Sequence, residues 1–250
     1  VSIPNKMGFD EFYGYNCQRQ SHSFYPDHLW HNKEKVLFPE NENNACKTYS
    51  QDLIHEQALK FIRDHKEQPF FAMLTYTLPH AELNLPHDSI YKMYENSFEE
   101  TPYIGKFDKV YGGYNTSEKP LASFAAMVSR LDKYVGDVMA ELKELGLDKN
   151  TIVIFTSDNG PWLTEHENGG SAGPLKDGKG TWWEGGFRVP AICWMPGKIN
   201  PAINDEIMTS MDLYPTFLSM AGIEQPKDLV LDGVNQTGLL FEEKHSARDE

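Results

Sequence analysis

Two periodicities organise the apolar positions of this chain. Between residues 121 and 145, Phe124, Met127, Val128, Leu131, Val135, Val138, Met139 and Leu142 recur three or four apart, and Gly146 follows. That spacing predicts a long amphipathic helix ended by the glycine. Leu53, Ala58, Phe61 and Ile62 predict a second helix over 52–65, with Asp52 near its start. Gln68-Pro69 punctuates it, and 70–76 reads as a short, nearly continuous apolar strand of the buried kind. The β-branched run Thr151-Ile-Val-Ile-Phe-Thr156 suits a central parallel strand. A further apolar strand is expected at 190–194 and a short helix at 212–221. Residues 1–50 read as aromatic, polar and loop-like, and 229–240 shows no clear period. The polar connection over 79–120 is long enough to point to a functional or flexible segment. Strands alternating with helices predict an α/β architecture with a mostly parallel sheet.

Composition narrows the function classes. The chain has 250 residues and a formal net charge of −14, which argues against a binder of nucleic acid, whose phosphates call for basic patches. No apolar run approaches the roughly 18–20 residues that span a bilayer. Cys17, Cys46 and Cys193 lie far apart, so no CxxC motif exists and at most one disulfide can form. Asn115-Thr-Ser and Asn235-Gln-Thr fit the glycosylation sequon. The start at Val1 and the charged stretch over 242–250 lead us to expect an excerpt, cut at both ends from something longer.

Candidate chemistry sits where strands are expected to end, since ligands of open α/β sheets bind beyond the carboxyl ends of strands. Asp158 and Asn159 place a carboxylate beside an amide oxygen, donors that suit hard divalent cations. Ser157-Asp-Asn-Gly160 reads equally well as a turn. The Gly-rich stretch 169–186 has the composition of an oxyanion-binding loop but lacks P-loop spacing. Lys176 and Lys179 can each offer an ammonium to a tetrahedral anion, or be solvated lysines on a surface loop. Arg188 is read as an ion-pair partner for Glu184. His80 follows a proline at a strand end, a good place for proton transfer, although a lone histidine also suits packing. His22 and His87 carry less signal. No GxSxG, HExxH or zinc-type cysteine pattern is present, so no nucleophile is visible.

In order and spacing, several words together resemble the sulfatase family. They are Gly8-Phe-Asp-Glu-Phe-Tyr-Gly14, Gln68-Pro-Phe-Phe71 leading to Pro79-His80, and Asn150-Thr-Ile-Val-Ile-Phe-Thr-Ser-Asp-Asn-Gly-Pro161. Lys176-Asp-Gly-Lys-Gly-Thr181, Glu184-Gly-Gly-Phe-Arg-Val-Pro190, Met211-Asp-Leu-Tyr-Pro-Thr216 and Leu231-Asp-Gly-Val234 continue the series. The resemblance implies an alkaline-phosphatase-like α/β sandwich, its mostly parallel central sheet flanked by helices and incomplete here. Residues 1–250 would then form a partial catalytic domain without its N-terminal part and C-terminal subdomain. It implies hydrolysis of sulfate monoesters, arylsulfatase-like, with a divalent cation, Ca²⁺ in preference to Mg²⁺. Asp158 and Asn159 match metal ligands. Lys179 matches the lysine that contacts sulfate and bridging oxygen, and His80 the histidine that binds sulfate and assists the leaving group. His22 lies near the substrate-facing loop, as does Gln18. The family's nucleophile is a formylglycine made from the first residue of a C/S-x-P-x-R word. None of the three cysteines is followed by that Pro and Arg, so the formylglycine is expected in the missing N-terminal part and the isolated chain is expected to be inactive.

The implied substrate is a sulfated small molecule or glycan, and the implied compartment is periplasmic, secreted or lysosomal. Oligomeric state is not legible. Two other readings compete. One is a phosphomonoester, diester or phosphonate hydrolase of the same superfamily; Asn159 speaks against its zinc-dependent members, which favour imidazole there. The other is an inactive remnant that binds sulfated glycans.

Overall fold

The computed structural model describes residues 3–106, 114–163, 168–242 and 244–248. Residues 107–113 of the expected long connection, part of the Gly-rich neighbourhood at 164–167, and residues 1–2, 243 and 249–250 of the two ends lie outside the described residues. The chain divides into two compact units. Unit 1 comprises Val1–Leu145 and Asp158–Val189; unit 2 comprises Gly146–Ser157 and Pro190–Glu250.

Unit 1 opens with an antiparallel sheet of β1 (Tyr13–Gly14), β2 (His28–His31) and β3 (Glu34–Leu37). The β2–β3 hairpin turns at Asn32, which adopts a positive φ of 56° and accepts the Phe12 N–H at 2.9 Å on its side-chain oxygen. Sequence reading took this region for loop. Leu29 is the one fully buried residue of these four-residue strands, so they lack the alternation that betrays a strand.

Two helices follow as expected, α1 (Ser50–Asp64) and α3 (Pro120–Glu144), and a short α2 (Ser89–Lys92) lies between them in the stretch read as a polar connection. The buried face of α3 differs from the predicted one. It carries Ala122, Ala126, Met127, Arg130, Tyr134, Val138 and Leu142, while Val128 is 44% exposed. Small and polar-tipped residues therefore line the stripe. Ala122 and Ala126 bring α3 close to Phe24, Tyr49, Leu78, Leu83, Leu85 and Tyr91, which complete the core.

An arginine can occupy that stripe because its charge is met. Arg130 pairs with Asp52 of α1 at 2.8 Å and with Asp88, the N-cap of α2, while Tyr134 donates its hydroxyl to Asp52. Desolvation would lower the Arg130 pKa, yet the two carboxylates override it and hold the guanidinium charged. One side chain thus joins three helices. Removing one partner of a buried pair strands the others. Both carboxylates are 40% exposed, so Arg130→Met should cost about 2–3 kcal/mol, below the value for a wholly buried pair, readable by urea denaturation.

The expected strand over 70–76 belongs to no sheet. It is extended, but Phe71 and Met73 are 57% and 63% exposed and no described strand pairs with it. Apolar, β-branched sequence sets an extended chain; a ladder also needs a partner backbone.

Unit 2 contains β4 (Val153–Thr156) and β5 (Ala191–Trp194), then α5 (Ser210–Met220) and α6 (Thr237–Phe241). The two strands pair antiparallel, Val153 opposite Trp194 and Thr156 opposite Ala191. The α/β class is as expected, but the parallel pairing expected of β4 is corrected: all ladders among the described residues are antiparallel. A β-branched run specifies burial and extension, whereas direction comes from the neighbour it meets.

Asp212 organises the rest of unit 2. Fully buried, it accepts the backbone N–H groups of Thr209 and Val234 at 2.8 and 2.9 Å and pairs with Arg248 at 2.5 Å. Gly233 makes this possible, since a Cβ there would lie 2.0 Å from the Met211 carbonyl oxygen. The words Met211-Asp-Leu and Leu231-Asp-Gly-Val234 are therefore one docked structural joint. Burial alone would raise the Asp212 pKa, but Arg248 and the two backbone donors hold it well below the usual carboxylate range. A depressed folded pKa contributes stability that is fully present above about pH 4, the unfolded value, and lost as pH falls toward the folded value. Asp212→Asn should therefore destabilise the protein clearly at about pH 6 and progressively less as pH is lowered below about 4 in parallel urea titrations.

Candidate active site

After β4 the chain enters unit 1 as Asp158-Asn159-Gly160-Pro161-Trp162 and there meets the Gly-rich segment. Gly160 donates to the Gly186 carbonyl at 3.0 Å, Lys179 to the Pro161 carbonyl at 2.8 Å, and Gly185 to the Lys176 carbonyl at 2.8 Å. Backbone lies on backbone. A Cβ at Gly160 would fall 1.8 Å from the Gly185 carbonyl oxygen, at Gly185 2.0 Å from that of Asp177, and at Gly178 2.4 Å from that of Pro161. The glycines are there to let two loops interlock, with the short helix α4 (Glu184–Phe187) closing the second loop. The expected Arg188–Glu184 pair forms, at 3.3 Å on the surface. Lys176 lays its ammonium 3.4 Å from the Trp183 ring centroid, a cation–π contact that separates its role from that of Lys179.

Lys179, fixed through its backbone to Pro161, carries its ammonium 5.8 Å from the Trp162 ring centroid. The same indole stacks against His80, with centroids 5.7 Å apart. His80 in turn lies 5.2 Å from the ring of His22, and Tyr114 stacks on His22 at 5.8 Å while meeting Trp162 edge-on at 6.1 Å. Four rings and an ammonium thus form one half-buried cluster. The His22 pKa is lowered, first by burial and then by the positive ends of His80 and Lys179. His80 places Nδ1 against the Ala81 carbonyl, an acceptor, so Nδ1 carries a hydrogen and Nε2 is the nitrogen left for proton exchange.

Glu82 gathers the segments that bear these rings. It is fully buried and accepts the backbone N–H of Phe24, two residues after His22, and of Asn115, one residue after Tyr114, each at 3.2 Å. It lies itself two residues after His80. Burial raises its pKa, opposed by these donors and by the Asn115 side-chain amide. The first sequon asparagine is thereby committed to an internal contact.

The structure brings together His22, His80 and Lys179 of the sequence-expected residues. Asp158 and Asn159 occupy the interlocked loop three and two residues before Pro161; Asp158 is exposed and Asn159 half-buried, its amide NH₂ donating to the Gly160 carbonyl at 2.9 Å. Among the described residues no group of three or more His, Cys, Asp or Glu side chains is placed to hold a metal. Cys193 is no thiolate, since burial pushes its thiol up to about 11.

A family profile described as Sulfatase matches residues 2–223. The chain belongs to the sulfatase family. It is 33% identical to N-acetylgalactosamine-6-sulfatase of Canis lupus familiaris over 250 residues, covering 93% of this chain and 42% of the relative. It superposes on the crystal structure of Ps i-CgsB with a TM-score of 0.77 at 28% identity, over 99% of this chain and 53% of that one. The structure of Ps i-CgsB in complex with k-i-k-neocarrahexaose gives a TM-score of 0.72 at 29% identity, over 94% and 50%. The fold is the alkaline-phosphatase-like α/β fold of such sulfatases. This sulfatase chain spans about two-fifths of the length of its curated relative, and among the described residues no helix is long and apolar enough to cross a membrane.

Sequence reasoning missed Trp162, Tyr114 and Glu82 in this sulfatase. Trp162 had a usable signal, because it follows Asp158-Asn159-Gly160-Pro161 directly. Glu82 had none, since a carboxylate whose partners are backbone donors looks in sequence like any surface Glu. Its two oxygens accept from separate backbone donors, so an amide can satisfy only one. Glu82→Gln should cost about 1–3 kcal/mol in urea denaturation and displace the His22 and His80 ring resonances in an NMR spectrum.

Proposed function

We propose that this chain carries part of the site of a sulfuric ester hydrolase, in which Lys179, His80 and His22 engage the sulfate. The convergence of those three side chains around Trp162 carries the reading, and the family supports it. As the S–O bond of a sulfate monoester breaks, negative charge grows on the bridging oxygen. A fixed ammonium beside that oxygen stabilises the transition state more than the ground state. Lys179 supplies it, its backbone held by the Pro161 carbonyl. His80 delivers a proton from Nε2 to the departing alkoxide, with Nδ1 steadied by Ala81. His22, disfavoured as a cation by burial, orients the sulfate.

Asp158 and Asn159 fit a share of a hard-cation site. Both offer oxygen, and the Asn159 contact to Gly160 uses its nitrogen end. A calcium ion takes about 6–8 oxygens, so these two would supply only part of its shell. The cation would polarise the sulfate oxygens when bound. Formylglycine as nucleophile follows from the family and from no residue of these 250. Relatives named for N-acetylgalactosamine-6-sulfate and solved with neocarrahexaose support a sulfated carbohydrate as substrate.

In the protein that carries this chain, Lys179→Ala and Asp158→Ala should each lower sulfate-ester turnover by about 100-fold or more, as loss of a transition-state contact does. Paired assays with aryl sulfate and aryl phosphate esters check this. Turnover close to wild type in both variants, or preference for the phosphate, would remove the assignment.

A further inference from the structure

We propose that Trp162, with Tyr114 as a second wall, is the subsite that receives the ring bearing the sulfate, and that it selects a sulfated pyranose. The proposal rests on the sulfatase reading given above. Trp162 stands outside the core cluster of unit 1 and is half-buried. Among the described residues its ring and cation neighbours are the His80 imidazole, the Tyr114 phenol and the Lys179 ammonium. A tryptophan that served only packing would sit in the apolar core; this one lies among titratable and polar side chains.

Geometry links the two halves of such a substrate. A sulfate held between Lys179 and His80 touches the two groups that flank the Trp162 ring, at 5.8 and 5.7 Å from its centroid. The carbon skeleton attached through the ester oxygen then has the indole as its nearest large apolar surface. Around that surface the rim is polar: the Tyr114 hydroxyl lies 3.5 Å from His22 Nδ1. A pyranose has an apolar C–H face and hydroxyls around its edge, which matches an indole bordered by a phenol and an imidazole. A plain aromatic ring offers no partners to the rim, so nothing seats it against the indole and it gains less from that surface than a pyranose does.

The test compares a 6-sulfated N-acetylhexosamine with 4-nitrophenyl sulfate in the protein that carries this chain. In Trp162→Ala the ratio of kcat/KM for sugar sulfate over aryl sulfate should fall about tenfold, through KM, with about one order of magnitude expected for loss of a stacked ring. Trp162→Phe should keep the ratio within about threefold of wild type, and Trp162→Leu, which keeps apolar bulk without a ring face, should follow the alanine variant. An unchanged ratio, or an equal loss on both substrates through kcat, overturns the proposal. Calorimetric titration with the sugar sulfate separates it from the reading beneath it. Binding weakened about tenfold by Trp162→Ala in a protein that hydrolyses neither ester would sustain the subsite and defeat the hydrolase; no binding by the wild type would defeat the subsite.

Discussion

A single buried carboxylate gathers the ring-bearing half of the site. Among the described residues Glu82 pairs with no cation; its partners are backbone and amide N–H groups from segments far apart in sequence. Such a group is costly to bury and is tolerated only when its oxygens are matched. The match fixes Phe24 and Asn115 relative to residue 82, and with them the chain on which His22, Tyr114 and His80 ride. Ring positions in the cluster are therefore set from behind, by backbone hydrogen bonds in the core, and the rings themselves are left to face a ligand.

The ammonium arrives by a different route. Lys179 belongs to a segment with little hydrophobic content, and an isolated Gly-rich loop pays a large entropic penalty to be ordered. Interlocking with 158–161 offsets it, because glycines let carbonyls and amides of the two loops approach closely enough to bond. Pro161 then serves twice: its carbonyl receives the Lys179 N–H, and its neighbour Trp162 meets His80. The core-anchored half and the loop-anchored half converge on that indole within unit 1.

This division explains what could be read from sequence. Long-period features were plain: α1 and α3 appeared within a residue or two of expectation, since an amphipathic helix declares itself locally. The buried face of α3 was misread because Arg130 and Tyr134 replace aliphatics there, permitted by Asp52 and Asp88 from elsewhere in the chain. Direction of pairing for β4 was likewise non-local. Among site residues, His22, His80 and Lys179 were recognisable through words that resemble a family, and the structure confirms their proximity to one another. Trp162 and Tyr114 took on a role only once folding had set them beside those groups. The words Met211-Asp-Leu and Leu231-Asp-Gly were legible only as part of the family resemblance; the structure employs that pair as a joint.

Charge adds a last constraint. A protein of net charge −14 that is to bind an anion must overcome its own field, and two facts make that feasible. Exposed charges are screened beyond about 8 Å at physiological ionic strength, so distant carboxylates weigh little at contact. Inside the cluster the opposite danger arises, for an ammonium and two protonated imidazoles crowded together would repel. Burial holds His22 toward its neutral form, which takes one positive charge out of that crowd. On the proposed reading the surplus of acid would act on encounter, while the short-range arrangement of one ammonium, one depressed imidazole and a second imidazole oriented by Ala81 would decide what is held.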